Sequence, residues 1–269
     1  MGAAYDTGTE ELLVRVEARV AVVTLNRPEA RNALTPAMKE ALARTIPALG
    51  ADPEVGCVLL TGAGAAFCAG GDTRRMAQDG RLPSPEERKR ALRREHEIPL
   101  ALHRLEKPTI AALSGAAAGA GLSLALACDL RIAAESAFVT TAYARLGLSG
   151  DYGGTWFLTR LVGPAKAREL YFLGERVDAR ACERLGLVNR VVPDAALADE
   201  AFAWAARIAA GPPIALRLMK DNLNRALVHD LAACLDVEAE RMVESAQTED
   251  YLEAVQAFTE KRPPTFQGR

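Results

Sequence analysis

The chain has 269 residues, with hydrophobic residues at 49% and charged residues at 25%, the balance of an ordinary water-soluble globular protein. Lys+Arg total 33 against Asp+Glu 35, a formal net charge of -2, so no basic field marks nucleic acid as a ligand. Histidine occurs only 3 times, at His96, His103 and His229, which argues against a His-rich metal site. The five cysteines, Cys57, Cys68, Cys128, Cys182 and Cys234, are scattered, odd in number and without a CxxC. That pattern fits reduced thiols, and neither a disulfide framework nor a zinc site.

In chain order, the first residues carry no basic stretch followed by an apolar one, so a secretory leader is not indicated. Gly2 lacks the Ser or Thr that myristoylation needs at position six, which is Asp6. A cytoplasmic location is therefore expected. Leu12–Val16 and Val20–Leu25 read as two strands. Thr35-Pro36 reads as an N-cap with Pro at the first helical position, opening a helix to about Leu49. Val55–Thr61 reads as a buried strand, and Gly62 to Asp72 as a loop of small residues. Gln78–Pro83 is polar and loop-like, a candidate determinant of substrate shape together with Tyr143–Trp156. Ser84-Pro85-Glu86-Glu87 is a capping box, starting a charged helix to about Leu105.

Thr109–Cys128 holds no charge and is long enough to span a bilayer. Its Ala and Gly content, the Ser114-Gly115 break and the preceding Pro108 fit a buried strand, turn and helix better. We read Thr109–Leu113 as a strand, Gly119–Ala127 as a helix and Leu130–Ala133 as a strand. Alternating strands and helices predict an α/β fold with parallel pairing. After Pro193 the pattern turns helical throughout, over Asp194–Ala210, Ile214–Ala226, Leu231–Ala246 and Thr248–Glu260. Such a region cannot cover its own apolar faces and must pack on the body, on another subunit, or on both. Residues 1–193 are therefore assigned to an α/β core and 194–269 to a helical region.

Two glycine pairs imitate a dinucleotide fingerprint. Gly62-Ala63-Gly64 lacks the third glycine, where Phe67 stands, and Gly119-Ala120-Gly121 has Leu124 in that place. No GK[ST] follows a glycine-rich run, so a P-loop is also absent. Beyond turns and close packing, such glycines suit a backbone that approaches a ligand and donates N–H groups to it.

The chain resembles the enoyl-CoA hydratase/isomerase (crotonase) family along nearly its whole length. The resemblance rests on Leu25-Asn26-Arg27-Pro28 with Asn32-Ala33-Leu34, and on Ala66-Phe67-Cys68-Ala69-Gly70-Gly71-Asp72. Lys107-Pro108-Thr109-Ile110-Ala111, Ser114-Gly115, Gly119-Ala120-Gly121 and Cys128-Asp129 extend it, as do Gly153-Gly154-Thr155, Gly186-Leu187-Val188 and Phe258 with Glu260-Lys261-Arg262. It implies a ββα spiral core with a C-terminal helical trimerisation region, and trimers that often pair into hexamers. The shared chemistry it implies is stabilisation of a thioester enolate of an acyl-CoA substrate. The Gly71 and Ala120 N–H groups would form the oxyanion hole, where one fixed donor is commonly worth ~3–4 kcal/mol. Ala30, Arg31 and Ala69 would line the coenzyme A, with Phe258 and Lys261 reaching the coenzyme A of a neighbouring subunit. Coenzyme A is part of the substrate, and no metal or other cofactor is implied.

At the acid/base positions the chain departs from the hydratases, which use two glutamates there. Their places hold Ser123 and Tyr143. A carboxylate follows eight residues after Tyr143, at Asp151, where related isomerases carry a working aspartate. The stretch from Ala117 to Gly163 looks most like the 1,2-epoxyphenylacetyl-CoA isomerase branch. One carboxylate suffices to remove a proton at one carbon and return it at another. Asp between glycines is also a common turn residue. Tyr143 and Ser123 would supply hydroxyls that orient substrate or simply line the pocket. The expectation is an isomerase-like acyl-CoA enzyme; the alternatives are an enoyl-CoA hydratase and a non-catalytic acyl-CoA-binding homologue.

Overall fold

The computed structural model describes residues 3–72 and 84–269. The expected loop Gln78–Pro83 lies outside the described residues. The chain opens with a short β1 (Ala3–Ala4), then the hairpin β2 (Leu12–Glu17) and β3 (Val20–Leu25). Leu12 pairs with Leu25 and Glu17 with Val20, so only Ala18 and Arg19 make the turn. Both have positive φ, 47° and 62°, the twist a two-residue hairpin needs. Helix α1 (Pro36–Ala51) starts as expected, with Thr35 Oγ1 accepting from the Met38 N–H at 3.1 Å.

Next come β4 (Cys57–Gly62), β5 (Ala66–Cys68), α2 (Pro85–Glu95), α3 (Glu97–Arg104), β6 (Thr109–Leu113), β7 (Ala116–Ala118) and α4 (Ala120–Ala127). They are followed by β8 (Leu130–Ala134), β9 (Phe138–Thr140), α5 (Gly154–Leu173), β10 (Val177–Asp178), α6 (Ala179–Arg184) and β11 (Arg190–Val192). The strands form two sheets. The first has the order β1-β2-β3-β4-β6-β8-β11, parallel from β3 onward. The second has the order β10-β9-β7-β5, with β5, β7 and β9 parallel. Three successive strand pairs, β4–β5, β6–β7 and β8–β9, thus place one strand in each sheet before the chain enters a helix. This is a ββα spiral. Strands β4 and β6 are buried almost throughout, which is why they read as continuous apolar runs.

The structure refines several expectations. The strand read from Val55 begins at Cys57, because the Gly56 N–H turns to the Arg19 carbonyl at 2.7 Å. The loop expected over 62–72 contains β5. The single helix expected from Ser84 to Leu105 breaks at His96 into α2 and α3. Pro99 explains the break, since its ring and missing N–H cannot continue a helix running from Glu95. The Ser84 capping box is complete: Glu87 N–H donates to Ser84 Oγ at 3.3 Å, and Ser84 N–H to Glu87 Oε2 at 2.9 Å.

The C-terminal region is α7 (Leu197–Ala209), α8 (Pro213–Ala226), α9 (Leu231–Ala246) and α10 (Glu249–Glu260). Helix α7 buries Ala201, Ala205 and Ala209 against the first sheet, so closely that a Cβ at Gly56 would lie 2.8 Å from the Ala209 carbonyl. Helix α8 is fastened by buried Lys220, whose Nζ lies 2.8 Å from Asp129 Oδ2 and donates to the Lys107 carbonyl at 3.1 Å. Helix α9 buries no residue. No described helix is long and apolar enough to cross a membrane. No group of three or more His, Cys, Asp or Glu side chains that could hold a metal occurs among the described residues.

Candidate active site

The site is built where the second sheet meets the start of α4. Strand β5 ends at Cys68, and the chain continues through Ala69 and Gly70 to Gly71. Gly70 has φ +87°, and a Cβ there would lie 2.7 Å from the Ala118 carbonyl and 3.3 Å from the Ala120 nitrogen. The backbone at Gly70, one residue before Gly71, is therefore pressed on the first turn of α4. Among the described residues, neither the Gly71 nor the Ala120 N–H is used in a hydrogen bond. Ala120 is the first residue of α4, where free N–H groups and the positive helix end coincide. Gly119 before it has φ 52° and ψ -124°, a conformation open to glycine alone. Gly121 permits the contact from the other side: a Cβ there would meet the Cys68 carbonyl at 2.3 Å.

A loop across the site supplies the polar side chains. Tyr143 opens a short 3-10 turn over Tyr143–Leu146, and its hydroxyl donates to Asp151 Oδ1 at 2.7 Å. Ser123, one turn into α4, is buried. Its Oγ lies 3.2 Å from the Gly119 carbonyl, 3.2 Å from the Asp151 carbonyl and 3.4 Å from the Tyr143 hydroxyl. Residues expected at the acid/base positions from distant parts of the sequence thus form one network. The Tyr143 ring stacks on Tyr171 of α5, with centroids 5.9 Å apart and planes 9° apart. Burial, and then the charge of Asp151, push the Tyr143 phenol above its ordinary range. The same causes push Tyr171 up to about 12. Tyr143 therefore stays a neutral donor at any physiological pH. Ser123 has three close polar neighbours and almost no exposure, so it braces the network from below.

The residues expected around coenzyme A divide into two sets. Ala30, Arg31 and Ala69 are brought together, because the Ala69 N–H donates to the Arg31 carbonyl at 2.9 Å. Arg31 is exposed and sits at φ 51°, after the 3-10 turn Pro28–Ala30. Phe258 and Lys261 sit at the far end of α10, with Phe258 87% exposed. Asn32 organises this corner, a role that the sequence did not reveal. Fully buried at φ 56°, it accepts from the Arg27 N–H at 2.8 Å and donates to the Ala63 and Ala66 carbonyls at 3.0 and 2.7 Å. Arg27 also meets Asp72 at 3.3 Å, joining the corner to the residue after Gly71.

A cleft of about 830 Å³ lies beyond Tyr152 and Gly153, between α3, α5 and α8. None of Gly71, Ala120 or Asp151 lines it.

Comparison with known proteins identifies the family. Residues 15–269 match the family model described as "Enoyl-CoA hydratase/isomerase". The chain is 39% identical over 260 residues to 1,2-epoxyphenylacetyl-CoA isomerase of Escherichia coli, covering 97% of this chain and 99% of that one. It is 42% identical over 251 residues to a protein of Rhodobacter capsulatus named "Probable enoyl-CoA hydratase", covering 93% and 95%. The crystal structure of an enoyl-CoA hydratase from Bacillus anthracis superposes with a TM-score of 0.92 at 35% identity, over 97% of this chain and 100% of that one.

Proposed function

The chain belongs to the enoyl-CoA hydratase/isomerase family, and from the network around Asp151 we propose that it is an isomerase of acyl-CoA thioesters. The thioester oxygen is received by the Gly71 and Ala120 N–H groups. Asp151 takes a proton from the carbon next to the thioester carbonyl. The electrons of that C–H bond pass into an enolate, whose oxygen carries the charge against the two donors. In a 3-enoyl-CoA the charge spreads to the far end of the double bond. Asp151 returns its proton there, and the double bond ends in conjugation with the thioester. No water, metal or redox partner enters the balance, so the substrate's own coenzyme A is the only cofactor-like group involved.

The observation that carries this reading is the single Asp151 carboxylate, held at 2.7 Å by Tyr143, where Ser123 and Tyr143 occupy the two glutamate positions of hydration. Hydration needs two groups to position and split water, and among the described residues this network holds one carboxylate. A homo-oligomer, trimer or hexamer, is part of the proposal, with Phe258 and Lys261 reaching the coenzyme A of a neighbouring subunit. A cytoplasmic location fits an acyl-CoA substrate.

The test follows thioester conjugation by ultraviolet absorbance. With a 3-enoyl-CoA the absorbance should rise. Loss of absorbance with a 2-enoyl-CoA and no change with the 3-enoyl-CoA would make the protein a hydratase. No change with either would leave a binding homologue. Asp151→Asn should lower turnover by at least ~100-fold while the variant still binds coenzyme A thioester. Near-normal turnover would remove Asp151 from the mechanism.

A further inference from the structure

Tyr152 follows Asp151 directly, and its position is unusual in three respects. It has φ +55°, a left-handed conformation that a bulky side chain adopts only under constraint. It is only 2% exposed. Its hydroxyl donates to Glu95 Oε2 at 3.3 Å, and Glu95 Oε1 accepts from Lys39 Nζ at 2.7 Å. Lys39 stands on α1, Glu95 at the end of α2, and Tyr152 just before α5. One carboxylate therefore joins three parts of the chain at the foot of the Asp151 turn. The His96 ring packs edge-on against Tyr152 with centroids 5.7 Å apart.

The neighbours of Asp151 make such a tie meaningful. Gly150 and Gly153 both have positive φ, 106° and 76°, and glycine leaves each of them free to rotate. Asp151 sits between them with one strong contact on its side chain, from Tyr143. Two glycines around a lone carboxylate would let it swing away from that contact. A buried, anchored tyrosine prevents this, because moving the turn would drag a large ring out of its packing. We propose that Tyr152 is a positioning residue for the acid/base: its phenol, held by Glu95 and Lys39, fixes the 150–153 turn so that Asp151 stays on Tyr143 and over the enolate carbon. This inference rests on Asp151 being the acid/base.

Conversion of 3-hexenoyl-CoA to its conjugated isomer tests it, with Tyr152→Phe, Glu95→Gln, their double variant and Tyr152→Gly beside Asp151→Asn. Tyr152→Phe removes the hydroxyl, and Glu95→Gln neutralises its charged acceptor and breaks the Lys39 ion pair, so both weaken one tie; each should lower kcat ~5–10-fold with KM almost unchanged, and the double variant should be no worse than the poorer single. Tyr152→Gly suits the backbone conformation yet removes the anchor, and should lower kcat up to ~100-fold. If it does not fold, the Phe and Gln variants decide alone. Unchanged kcat in both, with only a lower melting temperature, would make the tie purely structural and overturn the inference. Singles whose effects multiply in the double would overturn it too, since they would not share one tie. If Asp151→Asn stays active, or the wild type is inert toward 3-hexenoyl-CoA, the acid/base reading itself fails and takes this inference with it. If Asp151→Asn is inactive and the Tyr152 and Glu95 variants keep full kcat, only the positioning role fails.

Discussion

At the scale of single residues, the proposed chemistry rests on the Tyr143–Asp151 pair. A hydrogen bond to a charged acceptor is worth about 1.5–3 kcal/mol, so Tyr143→Phe should cost ~10–100-fold in kcat. The ring keeps its stacking on Tyr171, so the melting temperature should change little, and steady-state kinetics beside a thermal melt checks both. An unaltered kcat would reduce Tyr143 to pocket lining. Ser123, Tyr143 and Asp151 are all legible in the sequence as positions, because two of them fall where glutamates would stand and the third follows at a short interval. Their bonding to one another is not legible, since Ser123 and Asp151 meet across 28 residues. Asn32 and Tyr152 are also hidden. Nothing in a sequence says that a given Asn is fully buried, or that a given Tyr takes a left-handed turn between two glycines.

At the scale of elements, the proposed oxyanion donors depend on how closely α4 packs on β5. Gly121 sets that distance, because a Cβ there would reach the Cys68 carbonyl at 2.3 Å, and a backbone atom cannot step aside. Gly121→Ala should push α4 off the strand and spread Gly71 from Ala120. The expected result is a loss of ~1–3 kcal/mol in stability and a fall in kcat larger than the melting temperature alone accounts for. Gly147→Ala is the control: φ is positive there, unlike at Gly121, but no atom lies within 4 Å of the added Cβ. Chemical denaturation and kinetics of the two variants separate close packing from backbone strain. Elements with caps were legible, since Thr35, Ser84 and Thr248 act through local bonds, the last accepting from the Tyr251 N–H at 3.1 Å. Strands β5, β7, β9, β10 and β11 were not, because each has only two or three residues and shows no period. They form because the spiral offers them a neighbouring edge, which is a property of the fold and not of the segment. Pro99 marks the break at His96, but the charged helical pattern that runs through it hides that mark in the sequence.

Across the whole molecule, the interior is tuned to neutral thiols and phenols. Burial pushes Cys57, Cys68, Cys128 and Cys182 up from 9.0 to about 12. Unfolded thiols titrate near 9, so above that pH the unfolded chain holds fewer protons than the folded one. Stability is then fully present below pH 9 and falls as pH rises toward 12. The buried phenols of Tyr143, Tyr152 and Tyr171 act in the same direction from about pH 10. Urea midpoints measured under reducing conditions should hold steady to pH 8 and drop by pH 11. Cys128→Ala should flatten that drop, and a midpoint independent of pH would contradict the burial of these thiols as neutral groups.

The surface makes the complementary demand. Apolar side chains collect on α9 and α10, with Leu231 74% and Met242 70% exposed beside Leu235, Val243, Leu252 and Val255. A monomer rarely shows so many together, and interfaces between identical subunits are built from such faces. The sequence signalled this in the helical stretch after Pro193, whose apolar faces outnumber what the α/β body can cover. Light scattering on the purified chain should give a mass of three or six protomers. Leu231→Glu with Met242→Glu should return it to one, because two buried charges without partners oppose association. The same assembly bears on the substrate. Phe258 makes almost no contact within its own chain, so Phe258→Ala should leave the melting temperature of the protomer unaffected. If it packs on the coenzyme A of a neighbour, KM for the thioester should rise severalfold with kcat unchanged, since its contact is equal in ground and transition states. A chain that is monomeric at micromolar concentration, or a Phe258→Ala variant with unaltered KM, would mean that each subunit binds its substrate alone.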